Sequence, residues 1–215
     1  MNPRERVLTT IRHKEPDRVP LFFNAIDAKF VKAIGNGNML ETWKKLGVDV
    51  FAMVRKTWCE GIPSGLGYSP NPPPPEESLG GSGVAGWNGI DEFGRRWKHG
   101  RYIGGALATQ EDLLKYSPEL RLNERYDKSL IDLWKKDYPD YPYILFSHTG
   151  PLGLTIECFG FIEFCYALFD KRSLIEQSAE SKTEWFIETS NYAVDLGIDI
   201  VIMGDDMGFK GHGYV

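Results

Sequence analysis

Cysteine is scarce, with three in 215 residues and no CxxC pair, and histidine numbers only four. A disulfide framework is not expected, and free thiols suit a reducing compartment. Positive charge is not in excess: 25 Lys and Arg stand against 30 Asp and Glu, a net charge of −5. That balance removes the electrostatic ground for a nucleic acid or an anionic membrane as partner. No apolar run reaches the length of a membrane span, no signal-peptide core follows Met1-Asn2-Pro3-Arg4-Glu5-Arg6, and no GxxxxGK[ST] phosphate loop occurs. The expectation is a cytoplasmic protein that meets a small molecule or another protein. What is present, 42% hydrophobic and 26% charged residues, supplies one sizeable core and excludes disorder, collagen and coiled coil.

Helical and strand patterns alternate. Asn2, Pro3 and Glu5 form a capping-box start for a helix over 3–13, ended by Pro16. Arg18-Val19-Pro20-Leu21-Phe22-Phe23 reads as a first strand. A second helical stretch over 28–46 leads through Leu46-Gly47 into the apolar strand Val48 to Met53. The same phrase returns after a long helix over 173–196, with Ser173 and Glu176 as its start signal: LGVDVFAM and LGIDIVIM share helix, glycine stop and strand. Tyr143 to Phe146 is a further strand, and a helical segment over 157–169 follows it. Strands that alternate with helices imply parallel pairing, hence an α/β fold of barrel or doubly wound type.

Residues 58–140 interrupt this rhythm. Twelve of the 23 glycines and six of the 13 prolines fall between Gly61 and Gly105, so no barrel helix is expected there. Trp87 to Ile90 and Arg95 to Lys98, flanking Asp91-Glu92-Phe93-Gly94, suit a small hairpin, and 109–116 and 124–136 suit surface helices. Gly81 to Gly86 matches GxGxxG, but polyproline precedes it and a hairpin follows, which is not the strand–turn–helix setting a dinucleotide needs.

In parallel α/β folds, ligands sit beyond the C-terminal ends of the strands. Asp205 and Asp206, directly after Ile198 to Met203, are the strongest signal, because two carboxylates ending an apolar strand need a partner: a metal, a ligand or a shared proton. His148 and Gly150 follow the strand at 143–146, Asn24 and Asp27 follow the first, and Arg55 follows the second. Asp205, Asp206 and His148 are the candidate catalytic residues; Asn24, Asp27, Arg55 and Gly150 are candidate substrate contacts. Cys158 and Cys165, seven apart in an apolar segment, read as buried packing on one helix face. Cys59, near the end of the second strand, is better placed for chemistry, although a lone cysteine with no fixed partner reads first as structural.

The opening Asn2 to Leu8, the phrase His13-Lys14-Glu15-Pro16-Asp17-Arg18-Val19-Pro20, Asp91-Glu92-Phe93-Gly94 with Trp97, and Gly204-Asp205-Asp206-Met207-Gly208 together resemble the uroporphyrinogen decarboxylase superfamily. The resemblance implies a (β/α)8 TIM barrel, here a partial barrel forming one domain over 1–215, with 58–140 as an elaborated loop. It also implies either carboxy-lyase chemistry on a porphyrinogen or methyl transfer with a corrinoid protein. The arginine-rich segment expected after the first strand of the decarboxylases is Asn24-Ala25-Ile26-Asp27-Ala28 in this chain. A substrate with eight carboxylates would be poorly neutralised, so a corrinoid-dependent methyltransferase of O-demethylase type is the expectation.

The resemblance further implies zinc, whose His-x-Cys and later Cys ligands would lie beyond residue 215, so no metal ligand is assigned. Trp87 and Trp97 would help dock the corrinoid carrier. Only about four strands are visible, so the chain is expected to be a truncated product, or a half-barrel completed by a second copy or another polypeptide. A non-catalytic accessory half-barrel and a decarboxylase acting on a smaller acid stay open as alternatives.

Overall fold

The computed structural model describes residues 1–22, 27–37, 39–50, 52–53, 88–99, 101–117, 119–120, 122, 126, 128–147, 149–205, 208–209 and 212–213. In chain order these form α1 (Pro3–Ile11), α2 (Ala28–Gly35), α3 (Met39–Lys45), β1 (Ala52–Met53), β2 (Gly89–Ile90), β3 (Arg95–Lys98), β4 (Arg101–Gly105) and α4 (Gln110–Lys115). Then come α5 (Lys128–Asp137), β5 (Ile144–Ser147), α6 (Pro151–Phe159), α7 (Phe161–Asp170), α8 (Arg172–Asp195), β6 (Ile200–Met203), β7 (Gly208–Phe209) and β8 (His212–Gly213). The fold is α/β. β1, β5 and β6 form a parallel sheet in that order, with Ala52 opposite Ile144 and Ile144 opposite Ile200. A single parallel bridge from Phe22 to Val50 continues it on the β1 side. The run at 18–23 is thus a strand by one bridge only among the described residues.

The capping box at Asn2 forms as its spacing predicts: Glu5 N–H donates to Asn2 Oδ1 at 2.8 Å and Asn2 N–H to Glu5 Oε2 at 3.0 Å. Thr109 and Asp112 cap α4 in the same way. Several elements differ from their expected spans. The stretch over 28–46 is two helices, because Asn36 takes a left-handed conformation (φ 51°) and ends α2. The segment around 157–169 belongs to α6 and α7, which break at Gly160 (φ 93°) and bend by 95°. Cys158 and Cys165 therefore sit on different helices instead of sharing one face. α8 begins at Arg172 with no side-chain cap, and Ser173 Oγ instead accepts from Gln177 within the helix. Among the described residues no single helix is long and apolar enough to cross a membrane; α6 and α7 pass that test only as a bent pair.

The largest core cluster joins α6, α7 and α8 to the β2–β3–β4 hairpins, through Leu154, Cys158, Phe159, Phe164, Trp185 and Phe186 against Phe93 and Trp97. Burying each such aromatic contributes on the order of 1.5–3 kcal/mol. A second cluster, with Val48, Tyr143, Ala193 and Ile198, packs both copies of the repeated phrase between the sheet and its helices.

The two copies also share their hydrogen bonds. Gly47 (φ 66°) and Gly197 (φ 95°) end their helices left-handed. Val48 N–H then reaches back to Trp43 O at 3.0 Å, as Ile198 N–H reaches Ala193 O at 3.1 Å, the six-to-one bond of a Schellman stop. One residue further, Asp49 N–H donates to Leu21 O while its carboxylate accepts Leu21 N–H, at 2.9 and 2.8 Å. Asp199 does the same with Tyr143, at 2.8 and 3.0 Å. Each aspartate thereby pins the start of its own strand to the start of the preceding one.

Helix α1 closes this end of the sheet. Arg6 donates to Asp49 at 2.5 Å and to Asp17 at 2.6 and 2.9 Å, and Arg4 forks onto Asp199 at 3.1 and 2.5 Å. Arg18 adds two bonds to Asp49, at 2.8 and 2.9 Å. The charged residues of the opening motif are thus spent at the N-terminal ends of the strands, where a parallel α/β fold keeps its stabilising contacts.

Candidate functional site

At the opposite end, β5 and β6 release the chain side by side. Thr149 and Gly150 follow β5, Gly204 and Asp205 follow β6, and Gly150 N–H donates to Gly204 O at 3.1 Å. Helix α6 starts at Pro151, whose missing N–H costs nothing at a first helical position. Gly150, in the N-cap position, has no side chain to cap the helix. Asp205 supplies the cap from the neighbouring strand: Leu152 N–H donates to its Oδ2 at 3.0 Å and Gly153 N–H to its Oδ1 at 2.7 Å. A carboxylate at the positive end of a helix is also favoured by the aligned peptide dipoles.

Two glycines make the approach possible. A Cβ on Gly150 would lie 2.5 Å from the Asp205 carboxyl carbon, and one on Gly153 would lie 3.0 Å from Oδ1 and 2.8 Å from the Thr149 methyl. Gly153 carries no left-handed φ, so its requirement is for space and not for conformation. The sequence pattern places Gly150 and Pro151 in a loop with the helix from 157, whereas the helix starts at Pro151, and the need for a glycine at 153 appears only once Asp205 is in place.

Of the sequence-derived candidates, Asp205 and Gly150 come together. Asp27 sits after the first strand and N-caps α2, accepting Lys29 N–H at 2.8 Å. Asn24, Arg55, His148 and Asp206 lie outside the described residues, as do Cys59, Trp87 and the glycines at 81–86. The partner that an aspartate ending an apolar strand needs is, for Asp205, the N-terminus of α6. Two of the roughly four acceptor directions of its carboxylate are used in this way, and the residue remains half-buried rather than sealed.

The interior of the hairpin region holds a second charged arrangement. Asp91 accepts Phe93 N–H and Arg95 N–H at 3.0 Å each, Arg95 Nε at 2.6 Å and Trp97 Nε1 at 2.9 Å. Arg95 lies against the rings of Phe93 and Trp97 and donates onward to Glu157 at 2.9 Å. Trp97 is buried and committed to Asp91, which corrects the expectation that it helps dock a carrier. Cys158, beneath it, is fully buried, and burial pushes its thiol up to about 12, so it packs as a small hydrophobe and is not a ready nucleophile. Tyr102, whose hydroxyl donates to Glu157 O at 2.8 Å, is raised by burial and by the negative charge of Glu157. Among the described residues, no group of three or more His, Cys, Asp or Glu is arranged to hold a metal ion.

Known family models and curated proteins give no match to this sequence. A solved structure, a methyltransferase from Methanosarcina mazei, is similar with a TM-score of 0.54 at 15% sequence identity, over 96% of this chain and 60% of that one. The chain shares its fold with that structure. At this identity the likeness is one of architecture, and the chain spans 60% of the length of that neighbour.

Proposed function

We propose that the chain is part of a (β/α)8 barrel that moves a methyl group between a corrinoid protein and a small molecule. The observation that carries this reading is the junction of Asp205, Gly150 and the α6 N-terminus at the C-terminal ends of adjacent parallel strands, within a methyltransferase-like fold. The sequence resemblance supplies the chemical class. The corrinoid belongs to the partner protein, where it carries the methyl group. Zinc does not fit the described residues, which hold no donor cluster for it.

In this proposal the residues of the chain bind and orient. Asp205 ties the α6 start after β5 to the chain leaving β6, which holds these two strand ends together at one mouth. Its remaining acceptor directions would take a hydrogen bond from a hydroxyl or thiol of the methyl donor or acceptor, fixing the reacting atom in line. Methyl transfer is a displacement in which alignment within about 3–3.5 Å supplies much of the rate, so a rigid mouth matters more than a proton relay.

The test is the full-length gene product incubated with methylcobalamin and a series of small thiols, with the change in cobalt absorbance as readout. Transfer is expected, reduced at least about tenfold in Asp205→Ala, since each 1.4 kcal/mol of lost alignment is a factor of ten. Absence of transfer by the folded protein, or undiminished transfer in Asp205→Ala, would overturn the reading; the first outcome would favour an accessory role.

A further inference from the structure

The β2–β3–β4 sheet buries one face, and the described residues of its other face are exposed. Along β3 the alternation is strict: Arg95 and Trp97 point into the core, Arg96 and Lys98 outward. Arg101 and Ile103 of β4 and Ile90 of β2 are exposed as well, the two isoleucines at 60% and 46%. Register places Lys98 directly opposite Arg101, and Ile90 opposite Arg96. His99, at φ 52°, turns the chain between β3 and β4 beside this pair.

The arrangement runs against the local rules for sheets. Like charges directly across a ladder repel, and natural sheets usually place opposite charges or β-branched residues there. No ion pair relieves Arg96, Lys98 or Arg101 among the described residues, and the nearby acids Asp91 and Glu157 are both committed to Arg95. A chain with net charge −5 has nonetheless collected three exposed cations, with no ion pair among the described residues, and two exposed isoleucines on one small sheet face. Such local conflict, with no compensating ion pair among the described residues, marks positions suited to a partner outside the sheet.

We propose that this outer face docks an acidic protein surface, whose carboxylates pair Arg96, Lys98 and Arg101 while its apolar residues cover Ile90 and Ile103. Charge complementarity selects the acidic partner. A long polyanion such as duplex DNA would also meet the negative remainder of the chain, and the apolar flanks suit a folded or helical protein segment better than phosphates. The proposal rests on the sheet alone and stands apart from methyl transfer.

The probe is a fluorescent synthetic Glu/Leu peptide, titrated with the intact chain by anisotropy. Binding is expected to weaken several-fold as salt is raised from about 50 to 200 mM, because exposed charges become screened over the Debye length. The triple variant Arg96→Thr, Lys98→Thr, Arg101→Thr should bind at least about tenfold more weakly. Its urea midpoint should hold or rise, since threonine suits a strand and the repulsion is gone, which separates lost binding from lost folding. Equal binding by the triple variant, or tighter binding of a duplex DNA probe than of the peptide by the intact chain, overturns the proposal.

Discussion

Substituting Gly150 by alanine tests the strand-to-helix link without touching a charged group. The backbone at Gly150 is extended (φ −88°, ψ −176°), so alanine brings no conformational strain, and by stiffening the unfolded chain it would ordinarily add about 0.4–1 kcal/mol of stability. The structure reverses that sign, because the new Cβ would sit 2.5 Å from the Asp205 carboxyl carbon and must push the carboxylate away from the α6 amides. Losing a helix cap costs about 0.5–2 kcal/mol, and losing a charge at the helix N-terminus a further 0.3–1 kcal/mol. Gly150→Ala and Asp205→Ala should therefore each cost about 1–3 kcal/mol, measured as urea midpoints by tryptophan fluorescence. The double variant should cost clearly less than the sum, by about 1 kcal/mol or more, because both substitutions remove the same two bonds. Single costs that add to within about 0.5 kcal/mol, or a stabilised Gly150→Ala, would refute the linked cap.

Removing the Asp91 carboxylate as Asp91→Ala strands Arg95, Trp97 Nε1 and two backbone amides in the core; about 3–5 kcal/mol should be lost in urea denaturation, and a loss under 1 kcal/mol would count against it. Lys182 and Ser178, one turn apart on α8, bury their polar atoms without a hydrogen-bond partner among the described residues. Lys182→Met should thus stabilise the chain by about 1–3 kcal/mol. Burial lowers the Lys182 pKa below its usual 10.5, so between that lowered value and 10.5 the unfolded chain holds the extra proton and stability rises with pH. Lys182→Met should flatten that alkaline slope in a pH series of melting curves. For Asp199, burial alone would raise the pKa, but the bonds from Arg4 and from Tyr143 N–H outweigh it and hold the carboxyl below 3.8. Its contribution is present above that value and lost as pH falls through the folded one, so Arg4→Ala should shift acid unfolding to higher pH; an unchanged acid midpoint would show that the pair is idle.

Much of the fold was legible because its signals are short-ranged. Capping boxes at Asn2 and Thr109 depend on residues three apart, and the helix, glycine and strand phrase at 46–53 and 196–203 states its own turn. The breaks not expected from the sequence, at Asn36 and Gly160, are points where one residue takes a left-handed or otherwise irregular conformation. At Gly160 the apolar run continues into Phe161 and Ile162 although both are exposed, so periodicity does not register the bend. The third strand of the hairpin sheet was missed because β4, Arg101–Gly105, ends in two glycines and reads as loop until Gly105 packs closely against the α6 backbone at Cys158.

Hydrophobic period and turn chemistry were enough to show that strands alternate with helices and that Gly150 and Asp205 each follow a strand; that these strands are neighbours came from their pairing. What Asp205 does there was decided only by tertiary structure. Its partners are amides 52 and 53 residues earlier, presented by a glycine-bordered helix start that no local pattern can align with it. The same holds for Arg4 and Asp199, 195 residues apart. Local rules concern which residues are neighbours along the chain, whereas a charge finds its partner through the packing of helices and strands that the whole sequence must assemble first.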